Sequence, residues 1–157
     1  INNAGNNAIS PFAELTPTRF ESFWRLGPFG GFLVARRAMP LLAAQGSGSM
    51  LLTGASASRR GKPQFAHFAS AKAGLRSLAQ ALAREYGPRG VHVAHVVIDG
   101  GINGDRLRSM LPEWLEALGE DGTLEPDAIA DAFWYLHSQP RSAWTHELDL
   151  RHFKENW

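Results

Sequence analysis

The sequence predicts an α/β domain built on a mostly parallel sheet with right-handed crossovers, and three observations carry that expectation. Val91 to Ile98 (VHVAHVVI) has apolar side chains at both parities, the pattern of a strand covered on both faces. Phe65, Phe68, Lys72, Leu75, Ala79, Leu82 and Tyr86 recur at steps of three and four, which is one face of a long helix. Strand-like and helix-like stretches then alternate at helix-sized intervals along the chain.

Ile1 to Gly5 (INNAG) reads as the end of a strand, followed by turn formers from Asn6 to Pro11. Thr16 ahead of Pro17, or Thr18 with Glu21 three residues on, are competing N-caps for a helix carrying Phe20, Phe23 and Trp24. Gly27 and Pro28 break or kink it. A second helix runs from Phe29 to about Ala44 and stops in the Gly/Ser turn from Gln45 to Ser49. Met50 to Thr53 is a short buried strand, and a loop from Gly54 to Pro63 leads to the striped helix, about Phe65 to Tyr86, which Gly87 and Pro88 stop. Beyond Val91 to Ile98 and a turn from Asp99 to Gly104, residues from about Arg106 to Leu118 are expected to form one amphipathic, lid-like helix. Its Met110 and Trp114 either line a pocket or simply pack. Pro126 to His137 is the last helix, and Glu147 to Leu150 a final strand before a polar tail.

With 157 residues, 44% of them hydrophobic, the chain suits one domain with its own core and has no stretch that would span a membrane. Sixteen Lys and Arg against fifteen Asp and Glu leave a formal charge of +1, so no overall field recruits nucleic acid or an anionic membrane. The absence of cysteine excludes disulfides, thiolate metal sites and a Cys nucleophile. Because the first residue is Ile1, the chain is expected to begin after processing or inside a longer gene product.

Lys72 is out of place in an apolar stripe, because an unpartnered buried ammonium costs several kcal/mol or shifts its pKa. Either it snorkels, with its stem packed and its head in water, or it serves a site. Parallel sheets bind ligands beyond their strand C-termini. Here those ends are Asn3 to Asn6, Thr53 to Ser58 and Asp99 to Gly104, and the striped helix brings Lys72 toward the same edge, which favours a site.

The order Asn2-Asn3-Ala4-Gly5, a Ser-bearing strand end, a Lys on the next helix and a Gly100-Gly101-Ile102 turn after the following strand resembles the short-chain dehydrogenase/reductases. The resemblance covers nearly the whole chain and aligns with the C-terminal two-thirds of that family's domain. It implies a partial Rossmann-like, doubly wound parallel sheet whose N-terminal βαβ units are missing, with residues 1–157 forming the C-terminal part of a single dehydrogenase domain. The Gly-rich phosphate loop and the residue that chooses NAD or NADP belong to that missing part. Also implied are hydride transfer between NAD or NADP and a small alcohol or carbonyl substrate, a cytoplasmic location, and a homodimer or homotetramer joined through Phe29 to Ala44 and the striped helix.

In that family a Tyr one helical turn before the Lys exchanges the hydroxyl proton, the Lys lowers its pKa and binds the nicotinamide ribose, and a Ser holds the substrate oxygen. The resemblance therefore assigns Lys72 to the ribose, Ser56 to the substrate oxygen, Asn3, Ala4 and Gly5 to the adenosine side (Asn3 mainly as a strand tie), and Gly100 and Ile102 to the turn beside the nicotinamide. The departures are equally specific. Phe68 stands where the Tyr would be; the Ser position falls on Ala55 with Ser56 beside it; Gly27 replaces an Asn that supports a proton-relay water; and Asp99 and Gly104 replace the Pro and Thr of the turn. An inactive cofactor-binding or scaffold relative, and a truncated fragment without activity, are the alternatives these changes raise.

Three further groups are weighed on spacing alone. His67 lies about 100° round the helix from the Lys72 face and is expected at the surface or a subunit interface. His92 and His95 are expected to be packed, hydrogen-bonded strand residues instead of metal ligands. Arg59, Arg60 and Lys62 form a basic cluster that is either a solvated loop or a site for an anionic substrate group.

Overall fold

The computed structural model describes residues 1–156. Three parallel strands, β1 (Ser49–Thr53), β2 (His92–Asp99) and β3 (Glu147–Arg151), pair in the order β1-β2-β3, with Ser49 opposite His92 and His95 opposite Glu147. Asn2 adds an isolated parallel bridge beside Leu52, donating its N–H to Leu51 O at 2.8 Å and accepting from Thr53 N at 3.0 Å. The strands lie within a residue of their expected bounds.

The two-parity pattern of β2 produces two cores. Leu52, Met50 and Val93 pack with Ala35, Met39, Leu75 and Ala79 on one face, while Leu51, Ala94, Val96 and Ile98 pack with Phe133 and Leu136 on the other. A strand with apolar side chains on one face only would leave the second set of helices with nothing to cover.

Helix α1 (Pro17–Trp24) starts on Thr16, whose Oγ1 accepts from Arg19 N at 3.2 Å, which decides between the two candidate caps. Gly27 and Pro28 do not end the helical path. They sit in a π-helical turn, Arg25–Phe29, that joins α1 to α2 (Gly30–Gln45). A widened turn accommodates the donor that Pro28 lacks. Gly27 lies so close to the later helix that carries Ala71 that a Cβ there would stand 3.3 Å from Ala71 Cβ.

Helix α3 (Ala66–Tyr86) buries His67, Ala71, Lys72, Leu75 and Ala79. This corrects the expected position of His67, which is 1% exposed and meets the Phe23 ring edge-on at 4.3 Å. The apolar stripe showed only the face turned to the sheet, whereas α1 packs across α3 and covers a second face.

The expected single helix after β2 is also corrected. It is two helices, α4 (Asp105–Met110) and α5 (Pro112–Leu118), separated at Leu111, whose φ of −139° is far from helical. Pro112 has no N–H to continue α4 and starts α5 instead. Helix α6 (Pro126–Ser138) then returns the chain to β3.

Between β1 and α3 the backbone passes directly over β2. Gly54 N donates to Val96 O at 2.6 Å, and a Cβ at Gly54 would stand 2.1 Å from His95 Nε2. His95 is fully buried, and its Nδ1 is held by Glu147 at 3.0 Å, so it has no room to withdraw. Gly54→Ala is accordingly expected to destabilise the full-length protein by about 3 kcal/mol or more. Denaturant unfolding checks this; a loss too small to measure would show that the turn can shift.

Candidate active site

The strand ends named above meet in a cavity of about 340 Å³. Asn3, Gly5, Asn6 and Asn7 enter it from the first segment, Thr53 to Ser56 from the end of β1, Ile98, Gly100 and Ile102 from the end of β2, Phe68 and Lys72 from α3, and Arg106 from α4. Ala4 borders a small adjoining recess with Gly5, Gly27, Phe68 and Lys72. Thus Lys72, Ser56, Phe68, Asn3, Gly5, Gly100 and Ile102 come together, with Ala4 just behind.

Lys72 does not snorkel. It is 9% exposed, and its Nζ donates to Thr53 O at 2.8 Å. Burial lowers its pKa to about 8. That carbonyl is one acceptor for a group with three donors. The Phe68 ring centroid is 5.9 Å from Nζ and contributes a weak cation–π contact but no proton. Gly5 faces the ammonium, and a Cβ there would stand 3.4 Å from Nζ.

Ser56 opens a short 3₁₀ turn, Ser56–Ser58, that places it on the cavity wall. Ser58 is buried and Asn3 is exposed. The strand tie expected of Asn3 falls instead to Asn2, which is 4% exposed and makes both backbone bonds to β1. Neighbouring asparagines of opposite parity cannot be told apart by composition. Gly100 has φ +133°, a conformation open to glycine, and Ile102 bridges Leu124. Gly27 presents no side chain where a relay Asn would stand, and the close approach to Ala71 leaves little room for one.

Arg59 and Arg60 are held by carboxylates and not aimed at a ligand, which corrects the expectation of an anionic substrate site; Arg59 is exposed, as a solvated loop requires, while Arg60 is half-buried. Arg59 pairs with Asp149 and, at 2.7 Å, with Glu147; Arg60 donates to both oxygens of Asp99 at 3.1 Å. Lys62 is exposed in the same loop. Arg76 adds a two-bond pair to Glu147 at 2.6 and 2.9 Å, and these guanidinium bonds, Arg76 first, hold the Glu147 carboxyl down to about 2. His95 completes this network under Gly54, and burial lowers its pKa. His92 bonds Thr145 O and stacks on Trp144. Both are packed, hydrogen-bonded strand residues, as their spacing suggested.

Met110 and Trp114 do not border the 340 Å³ cavity; Trp114 lies against Gly101, where a Cβ would meet its ring at 3.0 Å. Two contributors escaped the sequence reading: the Thr53 carbonyl, which only the fold can place, and Arg106. The signal for Arg106 was its position, one residue into the helix that follows the β2 turn. A second, more apolar cavity of about 630 Å³ lies beside α6, lined by Leu51, Ile129, Phe133 and Trp134 among others, and shares Asn3, Thr53, Ile98 and Ile102 with the first.

Residues 1–112 match the family model described as short chain dehydrogenase. The chain is 30% identical over 155 residues to a 3alpha-hydroxysteroid dehydrogenase of Mediterraneibacter gnavus, covering 94% of this chain and 60% of that one. It is 35% identical to an uncharacterised oxidoreductase of Schizosaccharomyces pombe, covering 90% and 57%. Among solved structures, a short-chain dehydrogenase from Rhodopseudomonas palustris superposes with a TM-score of 0.77 at 38% identity, over 96% of this chain and 60% of that one. A closed serine dehydrogenase complexed with NADP+ shares the fold at a TM-score of 0.86 and 16% identity, over 99% and 65%. The chain belongs to the short-chain dehydrogenase/reductase family. Its α/β architecture with a parallel sheet is the partial Rossmann-like fold of that family, and it spans no more than about 60% of the length of the first curated relatives it matches.

Proposed function

We propose that the full-length protein is an atypical NAD(P)-dependent oxidoreductase acting on a small alcohol or carbonyl compound, and that residues 1–157 are the C-terminal part of its single dinucleotide-binding domain. The observation that carries this reading is the buried Lys72 ammonium, held by a single carbonyl and bordering a cavity with Ser56 and Phe68. A buried charge with spare donors is costly unless a ligand uses them.

The residues present fit the nicotinamide–ribose half of such a cofactor: Lys72 supplies donors for ribose hydroxyls, and Gly5 and Gly100 leave the cavity wall without side chains. When bound, NAD or NADP supplies or accepts the hydride. Ser56 donates to the substrate oxygen, and Phe68 forms an apolar wall that keeps water from one side of it. With no phenol on the Lys72 face, the proton is exchanged with water or a substrate group, and loss of a positioned acid typically costs about 10²- to 10⁴-fold in rate. Small-molecule turnover in the cytoplasm by a homodimer or homotetramer completes the reading. Among the described residues no helix is long and apolar enough to cross a membrane.

The test is NAD(P)H consumption by the full-length protein over a panel of small ketones and aldehydes, with the reverse reaction over alcohols. Slow, saturable turnover is expected. A second reading, a cofactor binder without chemistry, is favoured by Phe68, Ala55 and Gly27 together. Binding of the cofactor with no turnover on the panel would replace the first reading by the second.

A further inference from the structure

Within the dehydrogenase reading just given, on which this inference rests, we infer that the substrate carries a carboxylate or comparable anion and that Arg106 receives it. The cavity wall holds two cations, Lys72 and Arg106, and no Asp or Glu. The neighbouring carboxylate of Asp99, one residue before Gly100, is already bound through both oxygens by Arg60. With Lys72 buried and given to the ribose, Arg106 is the cation left to meet the substrate.

Arg106 is poorly matched by the protein itself. Its Nη1 and Nη2 both reach one neutral amide oxygen, Asn6 Oδ1, at 3.3 Å, at the long end for a hydrogen bond, and among the described residues it has no ion pair. Arg59, Arg60 and Arg76 show the contrast, each held by carboxylate oxygens. A guanidinium presents its donors as a planar fork that suits two carboxylate oxygens, and both terminal nitrogens of Arg106 point to a single weak acceptor that an anion would displace. Asn6 then holds the side chain at the rim until a substrate arrives.

The experiment uses the full-length protein and two probe pairs of different reach, acetoacetate with methyl acetoacetate and levulinate with methyl levulinate, which keep the ketone and remove the charge. Thermal stabilisation and, where turnover is measurable, kcat/KM are read with and without NADPH. At least one acid is expected to be preferred over its ester by about 10- to 100-fold, the range of a hydrogen bond to a charged group. Arg106→Ala should collapse that ratio toward one, mainly through KM, and Arg106→Lys should keep part of it. NADPH binding with no preference for either acid overturns the inference and leaves the dehydrogenase reading standing. An Arg106→Ala defect confined to NADPH affinity makes Arg106 a cofactor contact and also overturns it. Acid binding through Arg106 without any NADPH binding supports the anion site and sinks the dehydrogenase reading.

Discussion

Phe68→Tyr in the full-length protein is expected to raise kcat on a small alcohol or ketone by about 10²- to 10⁴-fold, the usual worth of a positioned general acid. The substitution adds one oxygen to a ring that already borders the cavity and already lies 5.9 Å, centroid to Nζ, from Lys72. Tyr and Lys four residues apart share a helix face, so the new phenol would stand beside an ammonium that lowers its pKa. Affinity for NAD(P)H should change little, because Phe68 has no polar atom with which to bind it. The gain should appear as a pH-dependent limb in kcat that the wild type lacks. A Phe68→Tyr protein that binds cofactor but turns over no faster would mean that Ser56 does not hold the substrate oxygen within reach of residue 68.

Lys72→Met is expected to move stability and activity in opposite directions. The Lys72 pKa is about 8 in the folded protein against 10.5 for a free lysine, so between those values the unfolded chain binds more protons. Stability therefore rises with pH from about 8 to 10.5 and is lowest, on this account, below pH 8. The difference corresponds to about 3 kcal/mol at neutral pH, and the Lys72→Met protein should recover a good part of it. Replacing the lysine should also flatten the rise in stability above pH 8. Turnover, by contrast, should fall below detection. Thermal unfolding at pH 7 and pH 10 checks the stability side; an unchanged or less stable Lys72→Met protein at pH 7 would mean that the ammonium is needed by the fold itself.

The sheet was legible because its signals are local. Val91 to Ile98 announces a strand covered on both faces, and Gly87-Pro88 announces the end of α3. The buried Lys72 was visible as a break in a pattern. What stayed hidden depends on neighbours distant in sequence. His67 is buried because α1 crosses α3. Arg59 finds Glu147 and Asp149 about ninety residues away, so the basic cluster could not be read from its own loop. The break at Leu111 was present in the sequence as Pro112, but helical spacing of Met110, Trp114 and Leu118 outweighed it. Asn2 and Asn3 differ only in parity, which a bridge to β1 decides. The candidate site shows the same division: Lys72 stands out by spacing, and Phe68, Ser56 and the turn glycines by the family resemblance, while Arg106 is significant only once the β2 turn has brought α4 to the cavity rim.

The claim that organises all of this is that Lys72 is kept buried for a dinucleotide. Titration of NADH and NADPH into the full-length protein, read by energy transfer from tryptophan to the reduced nicotinamide, tests it most directly when wild type and Lys72→Met are compared. Saturable binding of at least one nucleotide to the wild type is expected, weakened about 10- to 100-fold in Lys72→Met, as suits the loss of charged hydrogen bonds. Wild-type protein that binds neither nucleotide, or that binds no better than Lys72→Met, would contradict it.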